Sequence, residues 1–311
     1  MAISPAMKAA LKAISYMDLD IKKTYKLNRK LSKMLATLYT APEDYTIWDH
    51  PVERDGYCIP VRIFSPPQPA EKAIVFFHGG GWVTGDIDTY SRTCVDMCRQ
   101  TGHIVIAVDY RLSPEYRFPT ALEDCYAVLR EVFAGHFEEV LPGNITILGD
   151  SAGGNLAAAA SLLARDRGEF LPRKQILIYP ATSNDHSQHS PYPSVRENGT
   201  DYLLTAKRVN DFLEMYRSSR ADLQNPYFAP ILAADLKNQP KTLVITAEFC
   251  PLRDEGEHYA ARLREAGNQV TLYRVADALH GFFTLPPTFS HVSEVYSVIN
   301  RFLGEAAELE S

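Results

Sequence analysis

No stretch of the 311 residues approaches the length of apolar chain needed to cross a bilayer. Basic residues do not predominate either: 32 Lys and Arg against 38 Asp and Glu leave a net charge of −6. That balance gives no general attraction to nucleic acid or anionic membrane, and neither is an expected partner. Residues 1–11, MAISPAMKAAL, lack the basic n-region, long apolar core and cleavage site of a signal peptide. Cysteine is scarce, with five residues, Cys58, Cys94, Cys98, Cys125 and Cys250. An odd number in a chain this long points to reduced thiols, so the cytoplasm is the expected location. Cys94 and Cys98 could share a helix face, but no second Cys or His pair lies nearby, so they read as packing residues rather than metal ligands. Internal repeats and low-complexity tracts are also missing.

What is present suits one globular domain: 46% hydrophobic and 23% charged residues, enough apolar material for a large core. Residues 1–45 carry spaced apolar positions (Met17, Ile21, Tyr25, Leu31, Met34, Leu38) among many lysines. This pattern predicts amphipathic helices with a solvated basic face rather than a membrane-surface helix. From Tyr57 onward the pattern changes to short apolar runs: CIPVRIF, AIVFFH, HIVIAVDY, ITILGD, QILIYP, TLVITA and VTLYRV. Such runs, separated by helical stretches, predict a mostly parallel sheet with helices on both faces, an α/β fold. Between Thr182 and about Asp222 the strand pattern stops and a helical segment occupies 206–216. The expected organisation is a core of 46–182 and 223–311. Residues 1–45 and an insertion at 183–222 form a helical cap over the carboxyl edge of the sheet, where open α/β sheets bind ligands.

Gly149-Asp150-Ser151-Ala152-Gly153 follows the strand ITIL and precedes the helical run NLAAAASLLARD. A G-x-S-x-G between strand and helix is a nucleophile elbow: small neighbours permit the strained turn and Ser151 stands clear at the helix N-terminus. His78-Gly79-Gly80-Gly81-Trp82 follows the strand AIVFF. Its glycines let backbone amides approach a ligand, and no Lys-Ser or Lys-Thr follows as a phosphate-binding loop would require. The amides of Gly80, Gly81 and Ala152 are the candidate oxyanion donors. His280 lies in ADALHGFF after the last strand, the chain position of the general base, whereas His103 opens a strand, His186 and His189 lie in the insertion, and His258 and His291 fall in helices.

HGGGW, DYRLSPEYRFP at 109–119, GDSAGGN, PLRDEG at 251–256 and HGF at 280–282 together resemble the hormone-sensitive-lipase-like family of α/β-hydrolases, the bacterial carboxylesterase group. The resemblance covers roughly residues 45–305. It implies an α/β-hydrolase fold, a Ser-Asp-His triad, an HGGG oxyanion hole, a helical cap, a small-molecule ester substrate and no cofactor. A homodimer is open to such a chain.

One position departs from the family pattern. The motif after the seventh strand resembles D-P-L-x-D in the family, its first Asp orienting the histidine, but here Cys250 precedes Pro251, Leu252, Arg253 and Asp254. A neutral thiol accepts hydrogen bonds weakly. Asp254 is the substitute acid carried forward and Glu248 the other, with a dyad supported by water or Cys250 as a further arrangement. A binding protein without catalysis, or a redox-responsive Cys250, are further readings. Asp109, Arg111, Glu115 and Arg117 are expected to brace backbone as ion pairs. Trp82, Tyr192, Tyr202, Phe212, Phe282 and Phe283 are the candidate pocket walls, and such bulk favours short acyl groups.

Overall fold

The structure, a computed structural model, describes residues 20–137 and 140–304. Helix α1 (Ile21–Ala36) precedes strands β1 (Thr46–Asp49), β2 (Val52–Arg54), β3 (Tyr57–Ile59), β4 (Val61–Ser65) and β5 (Ala73–Phe77). Then follow α2 (Ser91–Thr101), β6 (Ile104–Val108), α3 (Thr120–Phe133), β7 (Ile145–Asp150), α4 (Ala152–Arg167) and β8 (Lys174–Ile178). The short α5 (Pro193–Glu197) and α6 (Ala206–Tyr216) lead to β9 (Lys241–Phe249), α7 (Arg253–Glu265), β10 (Val270–Leu279) and α8 (Ser290–Gly304).

Eight strands form one sheet in the order β1-β4-β6-β5-β7-β8-β9-β10, and β2 and β3 pair as a separate hairpin. Pairings from β6 to β10 are parallel, while β1 with β4 and β4 with β6 are antiparallel. Every residue of β5, β6 and β7 is buried. Since successive side chains point to opposite faces, both faces of the sheet are covered. This is why AIVFF and IVIAV read as unbroken apolar runs. The CIPVRIF run is split at Pro60, which cannot donate to a ladder, so it yields β3 and β4 rather than one strand.

The chain winds outward from β5 in both directions, to β6 on one side and to β7 on the other. The carboxyl ends of β5 and β7 therefore flank a topological switch point, where a crevice opens. HGGGW leaves β5 there and Ser151 leaves β7. Of the helices expected in 1–45, α1 is present; Met17 and the rest of residues 1–19 lie outside the described residues. The insertion contributes α5 and α6, and α1 packs on α6 through Ile21, Met215 and Val83.

The elbow demands glycine for a reason visible in the packing. Helix α4 passes so close to the end of β5 that a Cβ on Gly153 would sit 1.9 Å from the Phe77 carbonyl oxygen, a backbone atom that has no room to retreat. Gly153→Ala is therefore expected to destabilise the fold by about 3 kcal/mol or more. Urea denaturation of the two proteins measures it, and an unchanged midpoint would contradict the close approach.

Candidate active site

Ser151 is the N-cap of α4, with φ 56° and ψ −116°, a strained conformation for a residue with a Cβ. Its amide donates to the Ile178 carbonyl and its carbonyl accepts from Ala181 and Asn155, so backbone on both sides holds the turn. His280 follows β10 and brings Nε2 to 2.9 Å from Ser151 Oγ. With Nδ1 protonated, the ring can accept the serine hydroxyl proton at Nε2. Tyr179 packs on the imidazole with ring centroids 4.6 Å apart. The ring is partly buried at the wall of the cavity, and desolvation pushes its pKa down to about 3, favouring the neutral form.

The Nδ1 side meets sulfur. Cys250 Sγ lies 3.1 Å from His280 Nδ1 and also accepts the Leu252 amide at 3.3 Å. With Nδ1 protonated, two N–H groups converge on one acceptor. Burial raises the thiol pKa far above its usual value, so Cys250 supplies direction without charge.

Asp254 does not take the acid position expected for it. Its Oδ2 accepts the Ser194 amide at 2.7 Å, at the start of α5, and its Oδ1 accepts from Arg253 Nε at 2.7 Å. Helix α7 begins at Arg253, so residue 254 sits in the first turn and is turned toward the insertion. Glu248 is likewise engaged elsewhere: its Oε2 accepts the Asp277 amide at 2.7 Å, at the irregular end of β10 just before His280.

Gly80, Gly81 and Ala152 line a cavity of about 300 Å³ together with Ser151 and His280. The Gly80 carbonyl accepts from the Val83 and Thr84 amides. Among the described residues, the Gly80 and Gly81 amides donate to no protein acceptor. The Ala152 amide, in the first turn of α4, lacks an intrahelical partner as well. Gly81 has φ 63°, and a Cβ there would come within 2.4 Å of the Phe212 ring on α6. The glycine therefore lets the insertion close down on the loop.

Asp150 links the two halves. Its Oδ1 accepts the Gly79 amide at 2.7 Å, and its Oδ2 accepts from Tyr90 at 3.2 Å and Tyr179 at 3.4 Å. Burial raises this carboxyl to about 7. Arg29 on α1 braces the outer side of the same turn, Nε donating to the Val83 carbonyl and Nη2 to the Ser113 carbonyl, each at 2.7 Å. Sequence patterns do not single out Arg29, Tyr90 or Tyr179. Glu255 was also missed: fully buried, it accepts the Thr182 and Ser183 amides and meets His186, pinning the start of the insertion.

The ion pairs expected within 109–117 find other partners. Arg111 grips buried Asp124, Glu115 pairs with Arg29, and Arg117 donates to the Arg217 carbonyl. Of the expected pocket walls, Trp82 and Phe212 line the cavity, joined by Tyr90, Leu203, Leu204 and Val209. Tyr192 instead bonds His258, Tyr202 stacks on Phe249, and Phe282 and Phe283 enter the main core.

With His280 held neutral, the acid limb of kcat/KM should lie well below the ordinary histidine range. Cys250→Asp would place an anion beside Nδ1–H, favour the imidazolium and move that limb upward by about 1–3 pH units. Profiles of p-nitrophenyl acetate hydrolysis for both proteins decide this; coincident limbs would mean residue 250 does not face the imidazole.

A family model described as alpha/beta hydrolase fold matches residues 74–284. An arylesterase of Saccharolobus solfataricus is 37% identical over 274 residues, covering 86% of this chain and 87% of the relative. An ethyl acetate hydrolase of Pseudomonas putida is 36% identical over 247 residues, covering 78% and 76%. The solved hyperthermophilic esterase of the archaeon Pyrobaculum calidifontis superposes with a TM-score of 0.87 at 36% identity, covering 99% of each chain. The chain belongs to the α/β-hydrolase fold family, within its hormone-sensitive-lipase-like carboxylic ester hydrolases.

Proposed function

We propose that this protein hydrolyses short-chain acyl esters through an acyl-enzyme on Ser151, with His280 as general base and Cys250 in place of the triad acid. The observation that carries the proposal is the 2.9 Å contact between Ser151 Oγ and His280 Nε2 at a cavity that Gly80, Gly81 and Ala152 also line. Ser151 Oγ attacks the ester carbonyl carbon as its proton passes to His280 Nε2. The tetrahedral oxyanion is held by the amides of Gly80, Gly81 and Ala152. Protonated His280 returns that proton to the alkoxide, and the alcohol leaves. Water then attacks the acyl-enzyme, again giving its proton to His280, and the acid departs as Ser151 recovers its hydroxyl proton.

A cavity of about 300 Å³, narrowed by Trp82, Phe212, Leu203 and Leu204, suits small acyl groups on uncharged alcohols. Helix α1 and residues 183–222 serve as its cap. No cofactor enters this scheme.

Losing a triad aspartate in a form that reverses the histidine tautomer costs about 10⁴-fold in kcat. Here Sγ lies 3.1 Å from Nδ1, so with Nδ1 protonated the tautomer is kept and only the charge is missing. Cys250→Asp should therefore raise kcat by about 10²-fold or more, while Asp254→Asn and Glu248→Gln should stay within about threefold of wild type. Steady-state kinetics on p-nitrophenyl acetate reads all three; no gain at 250 together with a large loss at 254 or 248 would assign the acid elsewhere.

The uncharged Cys250 also favours a second reading, a weak or inactive hydrolase fold whose cavity binds a small molecule. The two readings part on Ser151→Ala. Hydrolysis reduced to background supports the esterase, whereas wild-type rates equal to those of Ser151→Ala leave the binding protein.

A further inference from the structure

Eleven large apolar side chains stand exposed among the described residues, and five of them, Leu27, Leu31, Met34, Leu35 and Leu38, fall within twelve positions of α1 and its C-terminal turn. Their exposures run from 45% at Leu31 to 79% at Leu38. The spacing i, i+4, i+7, i+8, i+11 places them within roughly a 100° arc. That arc lies opposite the side that holds the helix to the protein, where Ile21 is buried, Arg29 reaches the Val83 carbonyl and Lys22 pairs with Asp211. Among the described residues, nothing covers the arc.

Charge on the same helix is of one sign. Residues 21–36 carry Lys22, Lys23, Lys26, Arg29, Lys30 and Lys33 and no acidic residue, although the whole chain is at −6. Lys22, Arg29 and Lys33 pair with Asp211, Glu115 and Asp88. Lys23, Lys26 and Lys30 border the apolar arc, and of these only Lys23 has a carboxylate partner among the described residues, the exposed Asp20. An exposed pair of this kind holds its lysine weakly.

We infer that the outer face of α1 is a docking surface for an anionic lipid interface, its leucines entering the acyl boundary and Lys23, Lys26 and Lys30 meeting the headgroups. An apolar arc rimmed by cations on a helix lying flat is what such an interface recognises. The sequence pattern predicts a solvated basic face; the five exposed apolar side chains are what favour a lipid interface there. A second copy of the chain fits less well, since an isologous contact would bring the same lysine row against itself. Location agrees with the lipid assignment. Leu35 lines a cleft with Gly80, Tyr90 and Thr284, three residues that also line the Ser151 cavity, and Leu285 and Phe289 are exposed just beyond Thr284. Docking through α1 would thus turn the mouth of the cavity toward the lipid phase. The inference concerns binding and stands whether or not Ser151 forms an acyl-enzyme.

The test is co-sedimentation of the full chain with vesicles of phosphatidylcholine alone or mixed with phosphatidylglycerol, beside Leu31→Glu/Leu35→Glu and Lys26→Glu/Lys30→Glu. Expected is binding to the mixed vesicles, weakened by salt, and reduced at least about tenfold by either double variant. Both variants should keep the wild-type melting temperature, because the side chains face outward. Three results would overturn the inference. One is absence of vesicle binding, and another is binding equal in wild type and variants. The third is a solution dimer, or a folded-state packing, lost in Leu31→Glu/Leu35→Glu without any lipid dependence.

Discussion

A hydrogen bond between the Gly79 amide and the Asp150 carboxylate joins the two strands whose ends make the site. Ser151 leaves β7 and the glycine turn leaves β5, so the proposed nucleophile and its proposed oxyanion donors come from separate segments whose spacing must hold to fractions of an ångström. Asp150 fixes that spacing from beneath, with Tyr90 and Tyr179 occupying its second oxygen. The arrangement requires a carboxyl group in a fully buried place, and its elevated pKa records the cost. The close passage of α4 over Phe77 at Gly153 completes the same junction from the helix side.

Around His280 the contacts converge on Cys250. The Leu252 amide points at Sγ as it would at a carboxylate oxygen, and Asn198 donates to the Cys250 carbonyl, fixing the backbone that carries the side chain. The neighbouring carboxylates are committed to tasks that hold the insertion and the histidine loop. Among the described residues no carboxylate bonds the Nδ1 side of His280, and a buried neutral thiol beside a partly buried neutral imidazole is a consistent pair. In the proposed mechanism the burden falls on the oxyanion donors and on positioning.

The sheet was legible because strands buried on both faces leave unbroken apolar runs, and the elbow and glycine turn because strained backbone restricts residue choice. Chain order alone selected His280 among nine histidines. Partnerships made by long side chains were not legible. Arg111 turned to Asp124 rather than to the charges beside it, and Asp254 turned to Ser194, because such choices depend on what the fold brings near. Aromatics misled for a related reason: Tyr202, Phe282 and Phe283 are apolar enough for either a pocket wall or a core, and the core took them. Leu203, Leu204 and Val209 line the cavity instead, and nothing in their local pattern marks them.

Arg29 gives the outermost helix a share in the innermost chemistry. Helix α1 rests on a small apolar cluster of Ile21, Val83 and Met215, separate from the main core. Segments attached in this way open at a lower free energy than the global transition. When α1 detaches, the Val83 and Ser113 carbonyls lose their guanidinium while the sheet stays intact. Heat or denaturant would then abolish activity before spectroscopic unfolding begins, and the working lifetime of the enzyme would be set by the hold of one peripheral helix rather than by the stability of its core.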